Sequence, residues 1–376
     1  MEKINPILLT GANGFIGRNL SATLKGLGYQ RLLLVDKDTS DEIYTSYVKE
    51  AKFIFHLAGI NRPNDPKEFI EGNVDTISKL IDFVKSTKSK APIVVSSSIQ
   101  ALADNPYGKS KKAGEDLLLE FSKRYQNPVY IYRFTNVFGK WSRPNYNSVV
   151  ATFCHNISRG LPIKINDENA KIALIYIDDV VAELIRCLEG KTETIDGLLR
   201  VLPEYEVTVG QLAKTIQGFA SSRQTLVLSN QHDLFQKKLY ATYLSYLEDN
   251  QFSYELKSHQ DLRGSFTELF KTFEQGQISV NISKPGITKG NHFHHTKNEK
   301  FIVVSGEALI RFRKVHDTKI IEYRVSGQKI KVVDIPPGYT HSIVNIGKQD
   351  LVTIMWSSEI FDPLNPDTYP MEVDIK

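Results

Sequence analysis

The stretch ILLTGANGFIG, residues 7–17, determines the fold that we expect for the first part of the chain. Its first four residues are typical of a short buried strand, and Gly11, Gly14 and Gly17 follow before a helical pattern begins. Gly11 permits a tight turn, and glycine in this loop lets backbone N–H groups approach a pyrophosphate at the helix N-terminus. The stretch therefore predicts a dinucleotide site, and a tight turn without a ligand is the alternative.

The sequence that follows repeats this alternation of short apolar runs and amphipathic helical stretches. Continuous apolar strands with helices between them are typical of a parallel sheet that is covered on both faces. An α/β doubly wound, Rossmann-type domain is therefore expected. Its predicted strands are Ile7–Thr10, Arg31–Val35, Lys52–Gly59, Pro92–Ser98 and Val129–Phe134.

The pattern changes after about Leu247, where short strands and Gly, Pro or Asn turns follow one another without helical periodicity. Closely spaced strands of this kind predict an antiparallel sandwich or barrel. The segment Leu234–Gln251 before them has a helical pattern. We therefore expect two domains, residues 1–247 and residues 248–376.

The composition of the 376-residue chain is that of a globular protein, with 41% hydrophobic residues and a net charge of +4. The positive charges form no basic block, so we expect no nucleic-acid partner. No apolar run is long enough for membrane insertion. Cys154 and Cys187 lack the spacing of a disulfide framework or a metal site, and the N-terminus lacks a signal-peptide pattern. Both observations favour a cytoplasmic protein.

The nicotinamide cofactor cannot be chosen from the residues at the end of the second predicted strand. The carboxylate of Asp36 would hydrogen-bond a free ribose 2′-OH and repel a 2′-phosphate, whereas the adjacent Lys37 could receive that phosphate. NADH and NADPH therefore both stay open.

A second motif of the first part is YGKSK, in which Tyr107 and Lys111 are four residues apart. On a helix this spacing puts both side chains on one face. An ammonium group one turn away, with the cofactor nearby, should lower the pKa of the phenol so that it can transfer a proton. Ser98 ends the preceding strand and could hydrogen-bond a substrate carbonyl. Because Ser98 and Tyr107 are only nine residues apart, Ser97 is an alternative. A surface helix without catalytic role is the general alternative for the pair.

With the glycine loop, these residues resemble the extended short-chain dehydrogenases/reductases. The segments HLAG (56–59), GNV (72–74), RFTNVFG (133–139) and YIDDV (176–180) match further motifs of that family in order. The resemblance implies catalytic roles for Tyr107, Lys111 and Ser98. It implies substrate binding by Arg133 and Asn136, for which a structural loop is an equal alternative. The implied cofactor-binding residues are Gly11, Asn13, Gly14, Phe15, Gly17, Asp36, Lys37, Leu57, Ala58, Tyr107 and Lys111.

The second part carries three of the nine histidines within four positions. Because strand side chains alternate, His292 and His294 should point to one face and His295 to the other. Glu299 begins the next strand, and His341 comes from a distant one. Imidazole and carboxylate ligands of this kind suit Zn²⁺ and also Fe, Mn or Ni.

These spacings resemble the cupin superfamily, with a complete first motif over 286–306 and a nearly complete second motif over 336–345. Ile330 stands where a glycine is usual before the second motif. The resemblance implies a divalent metal, with zinc the expected ion, held by His292, His294, Glu299 and His341.

The same region also resembles metal-free deoxysugar 3,5-epimerases, so a barrel whose histidines act as acid–base groups is the alternative. Those enzymes have a tyrosine near the C-terminal end, where this chain has Ile360 and Phe361. The acid or base of the barrel stays open among Lys289, His295, Tyr339 and Glu359.

Over nearly its full length the chain is similar to the bifunctional enzymes of capsular-polysaccharide synthesis, through NPYGKSK (105–111), PNYNSV (144–149), SVNISKPGITKGN (279–291) and HHTKNEKF (294–301). The resemblance implies C3 epimerisation of a UDP-2-acetamido-2,6-dideoxy-4-hexulose by the cupin. It implies NADPH reduction at C4 by the first domain, giving the UDP-N-acetyl-6-deoxy-L-talosamine precursor of N-acetyl-L-fucosamine. A homodimer is also implied.

Two other functions remain in view. One is an NAD-dependent nucleotide-sugar 4-epimerase or dehydratase whose cupin only dimerises, a role that Asp36 would fit. The other is a sugar-binding or scaffold protein, which the presence of Tyr107, Lys111 and the metal-type residues disfavours.

Overall fold

The computed structural model describes residues 4–63, 65–195 and 198–375. The chain divides into two compact units, Met1–Gln217 with Lys238–Leu247 and Gly218–Lys237 with Glu248–Lys376. The segment 218–237 belongs to the second unit, a detail that nothing in its sequence indicates. The predicted boundary between the two domains, at residue 247, stays a proposal.

The strands of the first unit form a mostly parallel main sheet and a small second sheet. They are β1 (Ile7–Thr10), β2 (Leu32–Val35), β3 (Phe53–His56), β4 (Ile93–Ser98), β5 (Val129–Phe134), β6 (Asn136–Phe138), β7 (Lys171–Tyr176), β8 (Thr194–Ile195), β9 (Leu198–Leu199) and β10 (Glu204–Thr208). The main sheet has the order β2-β1-β3-β4-β5-β9-β8, and β10-β7-β6 form the other. β1 pairs in parallel with both β2 and β3, so the strand order reverses between β1 and β3.

Helices alternate with these strands along the chain. They are α1 (Phe15–Gly26), α2 (Asp41–Glu50), α3 (Glu68–Ile70), α4 (Thr76–Thr87), α5 (Pro106–Tyr125), α6 (Val149–Ser158), α7 (Ile177–Leu188), α8 (Val209–Thr225) and α9 (Leu234–Leu244). A π-helical turn, Glu71–Asp75, precedes α4, and short 3-10 helices cover Ile99–Leu102 and Asp249–Gln251.

Each face of the main sheet has its own apolar core. Ile7 and Leu9 pack with Leu20 of α1 on one face, whereas Leu8 packs with Leu80 of α4 on the other. This alternation follows from the two-residue period of a strand. The predicted α/β doubly wound fold is confirmed. No helix within the described residues is long and apolar enough to cross a bilayer.

The second unit is built from antiparallel strands. They are β11 (Ser258–Asp261), β12 (Gly264–Thr272), β13 (Gly276–Ser283), β14 (Thr288–Phe293), β15 (Glu299–Ser305), β16 (Glu307–Lys314), β17 (Ile320–Ser326), β18 (Val332–Ile335), β19 (Tyr339–Asn345), β20 (Leu351–Ser357) and β21 (Tyr369–Pro370). One sheet has the order β11-β12-β13-β20-β15-β18 and the other β17-β16-β19-β14-β21. Phe301, Ile310 and Ile343 belong to the core that the two sheets share. The predicted all-β cupin barrel is confirmed.

Two predicted elements are too long by more than one residue. β3 ends at His56, before Gly59, because its neighbour β1 ends at Thr10. Leu57 N makes the last ladder bond, to Thr10 O at 3.2 Å, and Ala58 N donates to the Thr10 hydroxyl at 3.3 Å instead of to a strand carbonyl. The helix predicted over Leu234–Gln251 ends at Leu244. There the backbone tightens into i→i−3 hydrogen bonds, such as Tyr246 N to Tyr243 O at 3.0 Å, and the helix stops.

Candidate functional sites

The glycine loop lies at the carboxyl ends of β1 and β3, where the strand order reverses. Gly11 has φ of +65°, and a Cβ atom there would lie 2.7 Å from Ala58 N. A Cβ at Gly17 would lie 2.2 Å from Gly11 O. Backbone therefore packs directly on backbone at this end of the sheet, which is where open α/β sheets bind their ligands.

The N-terminus of α1 is open to an anion. Its N-cap is Gly14, which has no side chain to cap the helix, so the first backbone N–H groups lack that partner. The helix dipole adds partial positive charge at the same place. These residues fit a bound pyrophosphate.

Asp36 is joined to the glycine loop, since its Oδ2 accepts a hydrogen bond from Asn13 N at 3.0 Å. Lys37 is exposed beside it. Phe15 packs against the core at the start of α1, and Leu57 and Ala58 follow β3. The structure thus places the sequence-predicted cofactor residues of this loop region together, and the nicotinamide choice stays open.

The start of α5 carries the predicted Tyr–Lys pair. Asn105 caps the helix by accepting a hydrogen bond from Gly108 N at 2.8 Å. Lys111 Nζ donates to Ser96 O at 3.2 Å and lies 6.0 Å from the centre of the Tyr107 ring. Burial lowers the pKa of Lys111 to about 8, although the Glu115 carboxylate acts in the opposite direction.

The Tyr107 phenol donates a hydrogen bond to Asn61 Oδ1 at 3.1 Å. Burial raises its pKa above 10, nearby Tyr146 adds to the increase, and a hydrogen bond with Ser98 opposes it. Burial thus sets the direction of the shift in this structure, and the expectation that Lys111 together with a nearby cofactor lowers this pKa stays a prediction. An un-ionised phenol is the form that can donate a proton.

The two candidate serines have different surroundings. Ser98 accepts a hydrogen bond from Gln100 N at 3.2 Å and faces Tyr107. Ser97 is buried and donates to Glu115 Oε1 at 2.5 Å. The geometry therefore favours Ser98 over Ser97 as the partner of Tyr107.

The predicted substrate-binding residues both have protein partners. Arg133 binds the buried Glu115 through Nε at 2.9 Å and Nη2 at 2.6 Å. Asn136 Nδ2 donates to Ala173 O at 3.0 Å and so joins β6 to β7. These contacts agree with the structural alternative, and substrate binding by either residue stays a prediction.

Sequence reasoning missed three side chains that organise this site: Asn61, Asn73 and Glu115. Asn73 accepts from Ile60 N at 3.0 Å and donates to Ser110 Oγ at 3.1 Å, which ties the loop before Asn61 to α5. The GNV motif marks Asn73 without giving it a role. Glu115 lies one turn after Lys111, and that spacing could have identified it.

The barrel contains a cavity of about 340 Å³ that is lined from both of its sheets. His292 on β14 and Glu299 on β15 face it, with Phe301, Ile343 and Met355 as apolar lining. A pocket of this size with a few convergent polar groups is typical of a small-molecule site.

The four predicted metal ligands converge in this part of the barrel. One ligand atom each from His292, His294, Glu299 and His341 lies within 4.8 Å of the others. His294 Nε2 is 3.3 Å and His341 Nε2 is 3.4 Å from Glu299 Oε2. Three imidazoles and one carboxylate make a donor set that suits a divalent transition metal.

The protonation states of the cluster also fit a metal. Burial and the neighbouring His341 ring lower the pKa of His292 to about 4, so its imidazole is neutral. Burial raises the pKa of Glu299, but the His294 and His341 side chains outweigh it and lower that pKa to about 2. His341 is fully buried, and its only contact of this kind among the described residues is the 3.4 Å approach of Nε2 to Glu299 Oε2, which is not a well-aligned hydrogen bond, whereas Nδ1 has no hydrogen-bond partner there. Burying a polar nitrogen without a hydrogen-bond partner costs folding free energy unless another group, such as a metal ion, binds it.

The four acid–base candidates of the barrel are not equivalent. Lys289 and Glu359 line the cavity, and Lys289 Nζ donates to Asn281 Oδ1 at 2.6 Å. His295 is exposed, with its ring 4.7 Å from that of Tyr369. Tyr339 packs against the apolar core. Phe361 lines the cavity near the position where the metal-free epimerases have a tyrosine.

The fold and the two sites define a class of protein in which an α/β unit with a dinucleotide-type glycine loop shares one chain with a cupin barrel. The chain belongs to the NAD dependent epimerase/dehydratase family, which it matches over residues 7–196. Residues 259–369 match a second family, described as the polysaccharide biosynthesis C-terminal domain.

Individual relatives share the whole arrangement. The chain is 44% identical over 367 residues to the UDP-2-acetamido-2,6-beta-L-arabino-hexul-4-ose reductase of Pseudomonas aeruginosa, and the match covers 98% of each protein. It is 52% identical to the solved capsular polysaccharide assembling protein CapF of Staphylococcus aureus, with a TM-score of 0.92 over 98% of this chain and 100% of that one. The resemblance to capsular-polysaccharide enzymes is confirmed.

A more distant relative matches about half of the chain. UDP-glucuronate 4-epimerase 1 of Arabidopsis thaliana is 25% identical over 259 residues, which are 54% of this chain and 59% of that protein.

Proposed function

We propose that this protein is a bifunctional nucleotide-sugar enzyme. The barrel epimerises C3 of a UDP-2-acetamido-2,6-dideoxy-4-hexulose, and the α/β unit reduces the C4 ketone with NADPH to UDP-N-acetyl-6-deoxy-L-talosamine. The observation that carries the proposal is the 44% identity, over 98% of both chains, to a reductase named for a 4-keto sugar of this kind. That relative is named for reduction alone, so epimerisation rests on the cupin site.

The α/β unit supplies the residues that a ketone reduction requires. NADPH, when bound at the glycine loop, supplies the hydride that attacks C4. Ser98 holds the carbonyl oxygen, and the Tyr107 phenol gives its proton to the alkoxide that forms. The Lys111 ammonium lies close enough to stabilise the negative charge that then develops on Tyr107.

The barrel supplies a site for the epimerisation. The C4 ketone acidifies the hydrogen on C3, a base removes that proton, and reprotonation from the opposite face inverts the carbon. A divalent metal held by His292, His294, Glu299 and His341 would supply Lewis-acid stabilisation of the developing oxyanion. Lys289 and Glu359 are the acid–base candidates that line the cavity. The ketone survives this step and is consumed only by the reduction.

The test follows both carbons of the 4-keto sugar by NMR with the full-length protein. Without NADPH in D₂O, deuterium should enter at C3, and a metal chelator should slow this exchange. With NADPH the C4 ketone should disappear while stoichiometric NADP⁺ forms. Reduction without any exchange at C3 would remove the epimerase from the proposal.

A 4-epimerase or dehydratase with a non-catalytic barrel is the second candidate. The attachment of Asp36 to the glycine loop favours it, because a carboxylate there suits NAD. The relation to a 4-epimerase over half of the chain points the same way. Such an enzyme recycles a tightly bound cofactor, so it would consume no added NADH or NADPH. We also expect a homodimer, which light scattering in solution would test.

A further inference from the structure

The C-terminal strap, residues 362–374, runs beside the metal-type cluster. Its strand β21 pairs with β14, so that Pro370 lies opposite His292 and Tyr369 opposite Phe293. Met371 N donates to Asn291 O at 2.9 Å, and Arg313 Nε donates to Val373 O at 2.8 Å. The strap is therefore fastened to β14, which carries His292, and to β16.

One residue of the strap, Asp367, binds the turn that follows β14. Its Oδ1 accepts from His295 N at 3.0 Å, and its Oδ2 accepts from Thr296 N at 2.9 Å and Lys297 N at 2.7 Å. The Thr296 hydroxyl donates to the same oxygen at 3.0 Å. One carboxylate thus satisfies three successive backbone N–H groups, which fixes the path of the turn between His294 and Glu299.

The backbone carbonyl of Asp367 fixes the tautomer of His294. Asp367 O lies 2.5 Å from His294 Nδ1, and because a carbonyl oxygen can only accept, Nδ1 must carry the proton. The lone pair of a neutral imidazole is then on Nε2, the nitrogen that lies beside Glu299 Oε2. A hydrogen bond of this kind to the second ring nitrogen is what orients a metal-binding histidine.

The conformation of Asp367 also selects its residue type. Its φ is +36°, and left-handed backbone is tolerated best by Gly, Asn and Asp. Only Asp combines that tolerance with a carboxylate that can accept from three amides. The position therefore requires both the backbone freedom and the negative side chain.

We propose that Asp367 is a positioning residue for the metal centre, and that docking of the C-terminal strap through Asp367 orients His294 for metal binding. The inference rests on the metal centre in the proposed function. Asp367 lies 73 positions from His294 in the chain, and no sequence motif indicates that the two residues act together.

The test measures Zn²⁺ affinity of the full-length protein by competition with a chelator, for Asp367→Gly and Asp367→Asn. Glycine keeps the left-handed backbone and removes the carboxylate, so Zn²⁺ should bind about 10–100-fold more weakly. Asparagine keeps the backbone preference and one acceptor oxygen, so its loss should be smaller. Asp362→Asn is the matched control. Within the part of the chain that the structure describes, the Asp362 side chain accepts only from its neighbours Leu364 and Asn365, so this variant should leave the affinity unchanged.

A second readout separates positioning from stability. The visible spectrum of the Co²⁺-loaded Asp367→Gly protein at saturation should differ from that of the unchanged protein, because without the carboxylate the strap no longer holds the carbonyl of residue 367 against His294. If the unchanged protein binds no Zn²⁺, the metal centre and this inference both fall. If it binds Zn²⁺ and Asp367→Gly binds within twofold with the same Co²⁺ spectrum, this inference alone is overturned. Should Asp367→Gly not fold, unchanged affinity of Asp367→Asn overturns it equally.

Discussion

Lys111 Nζ lies 6.0 Å from the centre of the Tyr107 ring, one turn further along α5. The two side chains share a face of the helix, but the phenol donates to Asn61 and the ammonium to the carbonyl of Ser96. The lysine is therefore not a hydrogen-bond partner of the tyrosine in the protein alone. Its charge becomes important when Tyr107 gives up its proton, because the phenolate then forms within reach of an ammonium group.

Replacing Tyr107 by Phe should lower the rate of 4-keto sugar reduction by about 10²–10⁴-fold, the usual contribution of a positioned acid. Phenylalanine preserves the ring, including its contact with Phe69 at 5.6 Å, so NADPH affinity measured by fluorescence should change little. Tyr125→Phe at the last residue of α5 is the matched control and should retain full activity. A Tyr107→Phe protein with normal turnover would exclude the phenol as the proton donor.

The rate of 4-keto sugar reduction should also fall as the pH rises through about 8. Burial lowers the pKa of Lys111 to that value, and the neutral amine cannot stabilise a phenolate. Lys111→Arg should remove this alkaline limb from the kcat/KM profile, since a guanidinium stays charged. Lys112→Arg, on the exposed ion pair with Asp116, should leave the limb in place. If kcat/KM of Lys111→Arg still decreases above about pH 8, the decrease must be due to the ionisation of another group.

The lowered pKa of Lys111 should reduce activity at high pH but increase the free energy of unfolding there. Between about pH 8 and pH 10.5 the unfolded chain holds a proton on Lys111 that the folded protein has lost. Because the unfolded state binds more protons there, this group makes the fold more stable as the pH rises through that window. Urea unfolding of the wild-type and Lys111→Arg proteins at pH 8 and pH 10 would measure the difference.

The sequence predicted the parts of this protein in which function depends on local spacing. The loop from Gly11 to Gly17 and the pair Tyr107 and Lys111 each lie within one turn or loop, so their distances along the chain determine their distances in space. The four metal-type residues could be predicted for a related reason. Their two motifs lie on strands that antiparallel pairing brings together, as in the pairing of His292 with His341.

Other parts could not be predicted, because their contacts join distant positions without a repeated pattern. Asn61 and Tyr107 are 46 residues apart, and Asp367 and His294 are 73 apart. The burial that raises the pKa of Tyr107 could not be predicted either, because burial is a property of the folded environment and no spacing reports it. The ends of β3 and α9 depend on backbone hydrogen bonds that side-chain patterns do not specify.

The close backbone packing at the glycine loop predicts the effect of adding a single methyl group. Gly17→Ala would place Cβ 2.2 Å from Gly11 O, so the loop must move, and NADPH binding should be lost. Gly26→Ala is the matched control at the other end of α1, where a Cβ meets nothing within 4 Å. It should bind NADPH normally and be more stable by about 0.4–1 kcal/mol. Equal cofactor affinity in the two variants would show that the loop is not the binding site.

Variants of the ion pair between Glu115 and Arg133 can show whether Arg133 has a structural or a substrate-binding role. The Glu115 side chain is 3% exposed and that of Arg133 27%, so removing either partner leaves a largely buried charge without its counter-ion. We expect Glu115→Gln and Arg133→Met each to lower the free energy of unfolding by about 2–4 kcal/mol, slightly below the range for fully buried pairs. Urea titration with the double variant would give the coupling energy of the pair.

The neighbouring pair Lys112–Asp116 on the same helix supplies the control for that cycle. Its side chains are 45% and 56% exposed, so its removal should cost less than about 1 kcal/mol. If Arg133 is structural, Arg133→Met should lose stability while the folded fraction keeps its KM for the keto sugar. If Arg133 instead binds the substrate, KM should rise while Glu115→Gln leaves it unchanged. Glu115 has its hydrogen-bond partners, Ser97 and Arg133, within the protein and needs none from the substrate. The same set of variants therefore distinguishes a structural from a substrate-binding role of Arg133.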